Sequence, residues 1–257
     1  MIMVIEKLIL VTNDDGLHSS GIAALVEAVS NLGEVVIAAP AEPQSGMSQA
    51  ITVKHPLRFK KSSLKGCVTY AITGTPTDCV KLALNKLLPR KPDLLVSGIN
   101  HGSNSSTSVL YSGTLGAALE GAINGVPSVG FSHISYDHNA DLKIAIYYAR
   151  KIAQNLLSNG LPQTTCLNVN FPDVAESDLE GIRICRQTIG HWREEFDRRT
   201  DPSGREYYWL TGEYYNAEPD AEDTDEWALK NNYIAVVPLR IDLTCYSTLE
   251  KIKNWKF

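Results

Sequence analysis

Three nearly uninterrupted apolar runs constrain this chain more than any other feature: KLILVT at 7–12, EVVIAAP at 34–40 and DLLVSGI at 93–99. Each has the length of a strand and no polar face, so each must be covered on both sides. Between the first two, GIAALVEAVSNL sets Ile22, Leu25, Val26, Val29 and Leu32 at helical spacing. Strand, helix and strand joined by short links make a βαβ unit, whose strands run parallel. The alternation then continues. Thr75 as N-cap, Pro76 in the first turn and Asp78 as an early negative charge predict a helix there. TLGAALEGAI predicts another after Gly113, SVGF at 128–131 a short strand, residues 139–157 a longer helix, and TCLNVNF at 165–171 a closing strand. The expected fold is α/β, a doubly wound, mostly parallel Rossmann-like sheet in three α/β/α layers. ITV at 51–53, LRF at 57–59 and CVTYAI at 67–72 read as strands of a less regular insertion.

Beyond Pro172 the texture changes. IRICRQT and REYYWLTG are β-rich, YIAVVPL at 233–239 is a short strand, and the last residues read as a terminal helix or tail. The expected division is a core over 1–172 that carries every site loop and a C-terminal extension over 173–257. The extension is expected to hold a β-rich hairpin arm. Tyr207, Tyr208, Trp209, Tyr214 and Tyr215 exceed what a free surface needs, so the arm buries them against a second subunit or against its own. The segment 218–226, EPDAEDTDE, holds six acidic residues and reads as a solvated loop.

Composition excludes several classes. With 257 residues, 44% of them hydrophobic, the chain can bury a sizeable core. A net charge of -5 disfavours a nucleic acid duplex as partner. Cysteines at 67, 79, 166, 185 and 245 are odd in number and without CxxC spacing, which indicates neither a disulfide framework nor a zinc knuckle. The apolar start MIMVIEKLIL lacks the basic and cleavage regions of a signal peptide, and no run reaches membrane-span length. Cytoplasm is the expected location.

Ligands of open α/β sheets bind beyond the carboxyl ends of the strands. Four polar loops fall there: NDDG at 13–16, PAEPQSG at 40–46, SGINHGSNSS at 97–106 and LYSGT at 110–114. Asp14 and Asp15 leave an apolar strand together, either as a surface turn that starts a helix or as ligands of a hard cation. Ser45 and Asn100 add neutral oxygens, although each residue type is also a common turn former. Mixed carboxylate, hydroxyl and amide oxygens suit magnesium, manganese or calcium better than zinc. Asn104, Ser105, Ser106, Ser112 and Thr114 form a hydroxyl- and amide-rich rim. Gly102 and Gly113 let backbone N–H groups approach an anion, and the start of the helix after Gly113 favours negative charge. A P-loop, a dinucleotide fingerprint and GxSxG are all missing, so metal-assisted hydrolysis ranks above covalent catalysis. Cys79 reads as buried filler, and His101, the one histidine in a site loop, as a candidate or a simply exposed side chain.

LVTNDDG at 10–16, AP…QSG at 39–46, GTPTDCV at 74–80, SGINHGSN at 97–104 and YSGTLGAALEG at 111–121 resemble the SurE family of metal-dependent nucleotidases, as do the later GREYYWLTG and DTDEWAL. The resemblance implies that Asp14, Asp15, Ser45 and Asn100 hold one divalent cation per subunit, Mg2+ or Mn2+, with Ca2+ as a further occupant. It implies a phosphate region of Gly46, Asn104, Ser112, Gly113 and Thr114, and a catalytic set of Asp14, Asp15, Asn100 and Asn104. It also implies hydrolysis of nucleoside monophosphates at the 5′, and in some members the 3′, position. Some members accept short polyphosphate, and members are homodimers or homotetramers that exchange a C-terminal arm. A broad acid phosphatase or exopolyphosphatase and a non-catalytic nucleotide-binding regulatory module stay open as alternatives. Asn232 departs from the family pattern, standing where glycine often precedes the late strand.

Overall fold

Strands with no polar face need cover on both sides, and the chain supplies it with alternating helices. The computed structural model describes residues 6–256; Met1–Ile5, which open the apolar amino-terminal run, and Phe257 of the tail lie outside the described residues. The chain begins β1 (Leu8–Thr12), α1 (Ser20–Val29), β2 (Glu34–Pro40), β3 (Phe59–Leu64), β4 (Cys67–Ile72) and α2 (Pro76–Leu82). It continues β5 (Leu94–His101), α3 (Gly113–Ile123), β6 (Ser128–His133), α4 (Lys143–Asn159), β7 (Thr165–Phe171) and β8 (Gly181–Ile184). The remainder is β9 (Gly190–Arg193), β10 (Phe196–Thr200), β11 (Glu206–Leu210), β12 (Glu213–Asn216), α5 (Asp225–Lys230), β13 (Tyr233–Arg240) and α6 (Tyr246–Ile252).

Nine strands form one sheet in the order β3-β4-β2-β1-β5-β6-β7-β13-β8. From β4 to β7 every neighbouring pair is parallel. β3 runs antiparallel to β4 at one edge. At the other, β13 runs antiparallel to β7 and parallel to β8. Side chains of β1 alternate between two cores: Ile9 and Val11 face α1 and α4, whereas Leu8 and Leu10 face α2 and α3. These are the three expected layers. The strand order reverses at β1, which has β2 on one side and β5 on the other, so the crevice for ligands opens beyond those strand ends.

Two expected elements differ. Residues 51–58 form no strand, and β3 begins only at Phe59. Thr52 donates its N–H and its hydroxyl to the Asp78 carboxylate, at 3.0 and 2.6 Å, in place of a strand ladder. Asp78 also closes the capping box with Thr75 that starts α2. Nor is the acidic stretch 218–226 all solvated. Thr224 and Asp225 are fully buried at the start of α5, because Asp225 accepts from the N–H groups of Ser106 and Thr188, each at 2.9 Å. Cys79 is buried in α2, and Asn232 adopts φ 63, the left-handed turn that its position before β13 requires.

β9 pairs with β12 and β10 with β11, so residues 190–216 form a two-tiered antiparallel hairpin. All five residues of β11 are exposed.

Candidate active site

Asp14 and Asp15 leave β1 in a turn built by Asn13, whose Nδ2 donates to the Gly16 carbonyl and to Ser19 Oγ, both at 2.8 Å. Ser19 in turn caps α1. The loop after β2 is tied to this turn: Gln44 N–H donates to the Asp14 carbonyl at 2.7 Å, which carries Ser45 and Gly46 alongside the carboxylates. Ser48 then fastens that loop to the segment before α3, donating its N–H to Tyr111 and its hydroxyl to the Leu110 carbonyl. Three of the four loops are thus tied to one another by hydrogen bonds.

Asp14, Asp15, Ser45, Gly46, Asn100, Asn104 and Ser112 line one cavity of about 810 Å³. Asn100 donates its Nδ2 to the Gly102 carbonyl at 2.8 Å, which leaves Oδ1 as its available atom. Asn104 donates its backbone N–H to Asn170 and one side-chain N–H to Ser132, each at 2.8 Å, so its side chain is held from behind. Ser112 caps α3 by accepting from Leu115 N–H at 3.1 Å and keeps its own O–H to donate.

Thr114 and Gly113 lie behind the carboxylates instead of lining the cavity. The fully buried Thr114 hydroxyl donates to Asp14 Oδ1. At Gly113 an added Cβ would stand 2.9 Å from Asp14 Cβ and 3.1 Å from its Oδ2, so only glycine lets α3 approach this closely. Ser105 and Ser106 are also withdrawn from the rim. The Ser105 hydroxyl donates to Glu226, and the Ser106 hydroxyl donates to the Thr188 carbonyl at 2.9 Å.

Charge is poorly compensated here. Asp14 is 3% exposed, and among the described residues no lysine or arginine lines the cavity. Burial raises Asp14 from its ordinary 3.8 to about 6; the Thr114 hydrogen bond opposes the rise and the neighbouring Asp15 adds to it. Asp15 is raised too, chiefly by burial, with the His101 backbone and the His101 and His138 rings opposing. Its Oδ2 is buried with no hydrogen-bond partner. A buried carboxylate oxygen without a donor, beside a second carboxylate and the open Asn100 Oδ1, fits a hard cation. Among the described residues no three His, Cys, Asp or Glu side chains converge as a metal cage, so any ion here needs the neutral oxygens as well.

His101 is not an exposed bystander. It is 7% exposed at the end of β5, where Nε2 meets Ser20 Oγ at 3.0 Å and the His138 ring stands edge-on at 4.9 Å. Burial lowers its pKa and the Asp15 charge works against that. Sequence reasoning missed Tyr136, His138, Trp192 and Glu195, all of which line the cavity. The first two sit on the loop after β6, and the rule that picked out the other loops applies there too. Trp192 and Glu195 come from the root of the arm and carry no local signal.

Comparison with known proteins identifies the family. A family model described as Survival protein SurE matches residues 9–194. A Cytophaga hutchinsonii protein named 5′-nucleotidase SurE is 53% identical over 255 residues, covering 98% of each chain. One of the same name from Flavobacterium psychrophilum is 51% identical over 252 residues, covering 97% of this chain and 98% of its own. The crystal structure of the Sure protein from Aquifex aeolicus is similar at a TM-score of 0.83 and 38% identity, over 96% of this chain and 98% of that one. Matched along most of its length in both sequence and fold, this chain belongs to the SurE family.

Proposed function

We propose that this protein is a 5′-nucleotidase that hydrolyses nucleoside monophosphates to nucleoside and phosphate and uses one divalent cation, Mg2+ or Mn2+, per subunit. The observation that carries the reading is the buried Asp14–Asp15 pair at the reversal of strand order, with Asp15 Oδ2 unpartnered and, among the described residues, no lysine or arginine lining the cavity. The names of the relatives support the substrate class.

In this reading Asp14, Asp15, Ser45 and Asn100 hold the cation, and Asn104 completes the catalytic set. A bound cation supplies charge for the phosphoryl oxygens and acidity for a water. Thr114 and Gly113 fix Asp14 from behind, so the carboxylate meets its ligand already oriented. Asn104, Ser112 and Gly46 face the phosphate with N–H and O–H donors. Asp15, the more accessible carboxylate, orients the attacking water. Attack by the water forms a new P–O bond and breaks one of its O–H bonds, the P–O bond to the nucleoside breaks, and the proton given up by the water is balanced by the one the nucleoside hydroxyl takes.

Residues 173–257 are proposed as an extension whose arm joins subunits into a homodimer or homotetramer. Tyr208, Trp209 and Leu210 on β11, exposed at 55%, 58% and 70%, support that role. The proposed location is the cytoplasm, consistent with five unpaired cysteines. Among the described residues no helix is long and apolar enough to cross a membrane.

The test is phosphate release from AMP by wild type and by Asp15→Asn. The variant is expected to lose at least a hundredfold in kcat, about 2.7 kcal/mol at the barrier, while keeping its fold by circular dichroism. Equal rates would refute the assignment. Tight AMP binding without phosphate release by the wild type would make the protein a nucleotide-binding module instead.

A further inference from the structure

The cavity is larger than a cation and one phosphate fill. Its volume of about 810 Å³ lies in the range of sites that enclose whole small ligands. Its lining is also mixed: carboxylate, amide and hydroxyl groups are joined by the rings of Tyr136 from the loop after β6 and Trp192 from β9.

Both rings are referenced to the loop that bears Asn100 and Asn104. Tyr136 is 73% exposed, yet its ring packs on Gly102, where an added Cβ would lie 2.5 Å from Cε1. Gly102 has φ 110, a conformation that L side chains rarely adopt, so the platform for this ring is glycine on two counts. Trp192 is half-buried and stands edge-on to Tyr214, with ring centroids 6.0 Å apart. The Tyr214 hydroxyl donates to Ser106 Oγ at 2.6 Å, and the Ser106 N–H is held by the buried Asp225. Two aromatic groups from distant segments are thus tied, directly or through Tyr214, to the 102–106 loop.

The charges around them narrow what fits. Glu195 lines the cavity from the same arm as Trp192, and among the described residues no lysine or arginine lines it. A second or third phosphate would meet that carboxylate and neither lysine nor arginine. A neutral planar group meets aromatic side chains instead, Tyr136 and Trp192 with Tyr111 also in the lining, and stacking needs only a π face, which every base has.

We propose that Tyr136 and Trp192 wall a nucleobase subsite, holding the base by stacking while the phosphate lies at the Asp14–Asp15 end. This deepens, and rests on, the nucleotidase reading above. It makes the site tolerant of base identity and selective for a base over none.

The test compares kcat/KM for AMP and UMP with that for ribose 5-phosphate, in Tyr136→Ala and Trp192→Ala, with Tyr136→Phe and Trp192→Phe as conservative partners. A second readout is calorimetric binding of adenosine to the chelator-stripped protein. The nucleotide-to-sugar-phosphate ratio is expected to fall on the order of tenfold in each alanine variant, the loss of one stacking partner, and to fall through KM more than kcat. The phenylalanine variants should keep the wild-type ratio, and adenosine binding should follow the same pattern. An unchanged ratio with unchanged adenosine binding in both alanine variants overturns the proposal, as does an equal loss on ribose 5-phosphate. If wild type released no phosphate from any substrate yet bound adenosine in a manner dependent on both rings, the nucleotidase reading would fail and the subsite would stand.

Discussion

Replacing Asp14 with asparagine should stabilise the metal-free protein at neutral and alkaline pH while abolishing its response to metal. In the unfolded chain Asp14 ionises near 3.8; in the folded chain burial holds it protonated up to about 6. Between those values the folded state binds more protons than the unfolded one. Stability therefore falls as pH rises through that window, and the full cost is present above about 6. At 1.36 kcal/mol per pH unit of difference, the cost is about 3 kcal/mol at pH 8 and roughly half of that at pH 5. The asparagine side chain would carry no charge at any pH, and its oxygen can still accept from Thr114. In chelator at pH 8 the variant should melt higher by about 6–12 °C for a chain of this size, with the gap roughly halved at pH 5. A cation at about a thousand times its Kd should reverse the order, since it adds about 4.1 kcal/mol to a protein that binds it. The assay is thermal unfolding of both proteins with chelator and with Mn2+, at pH 5 and pH 8. A variant no more stable than wild type in chelator at pH 8, or a gap independent of pH, would refute the reasoning.

Gly113→Ala should weaken metal binding more than stability, because the new Cβ would stand 2.9 Å from Asp14 Cβ and displace a ligand; Mn2+ titration of the stripped variant checks this, and wild-type affinity would count against it. Every recorded partner of the Asp225 carboxylate is a donor, so Asp225→Asn turns one contact into donor against donor; a loss of about 1–3 kcal/mol in denaturant unfolding is expected, together with a lower kcat/KM through the 103–106 loop. Replacing residues 196–210 with a short turn should lower the solution mass measured by light scattering, and an unchanged mass would remove the arm from the assembly.

The parts legible in the sequence were those whose signal is local. β1, β2 and β5 are apolar runs of strand length, and the Thr75–Pro76–Asp78 cap predicts the start of α2 from four residues. The polar loops at the strand ends follow from topology once the parallel order is inferred. What was misread depends on distant partners. Thr52 lies in a strand-like ITV, but Asp78, 26 residues on, takes its donors. Asp225 looks solvated among six acidic residues, yet Ser106, 119 residues earlier, supplies an N–H that buries it. The insertion of β13 between β7 and β8 has no local signature either, and neither does the delivery of Trp192 and Glu195 from the arm to the cavity. The family resemblance puts Thr114 and Gly113 in the phosphate region; their contacts in the structure are with Asp14, a distinction of which atom faces which that spacing alone does not carry.

The central claim is that one cation held by the Asp14–Asp15 pair is required for hydrolysis. The most direct measurement titrates Mn2+ into chelator-stripped protein while following bound ion by electron paramagnetic resonance and phosphate release from AMP in the same samples. Turnover should be absent at the start and should rise in step with occupancy, saturating at one ion per subunit. Phosphate release at full rate before any ion is bound, or saturation of the site without turnover, would contradict the account.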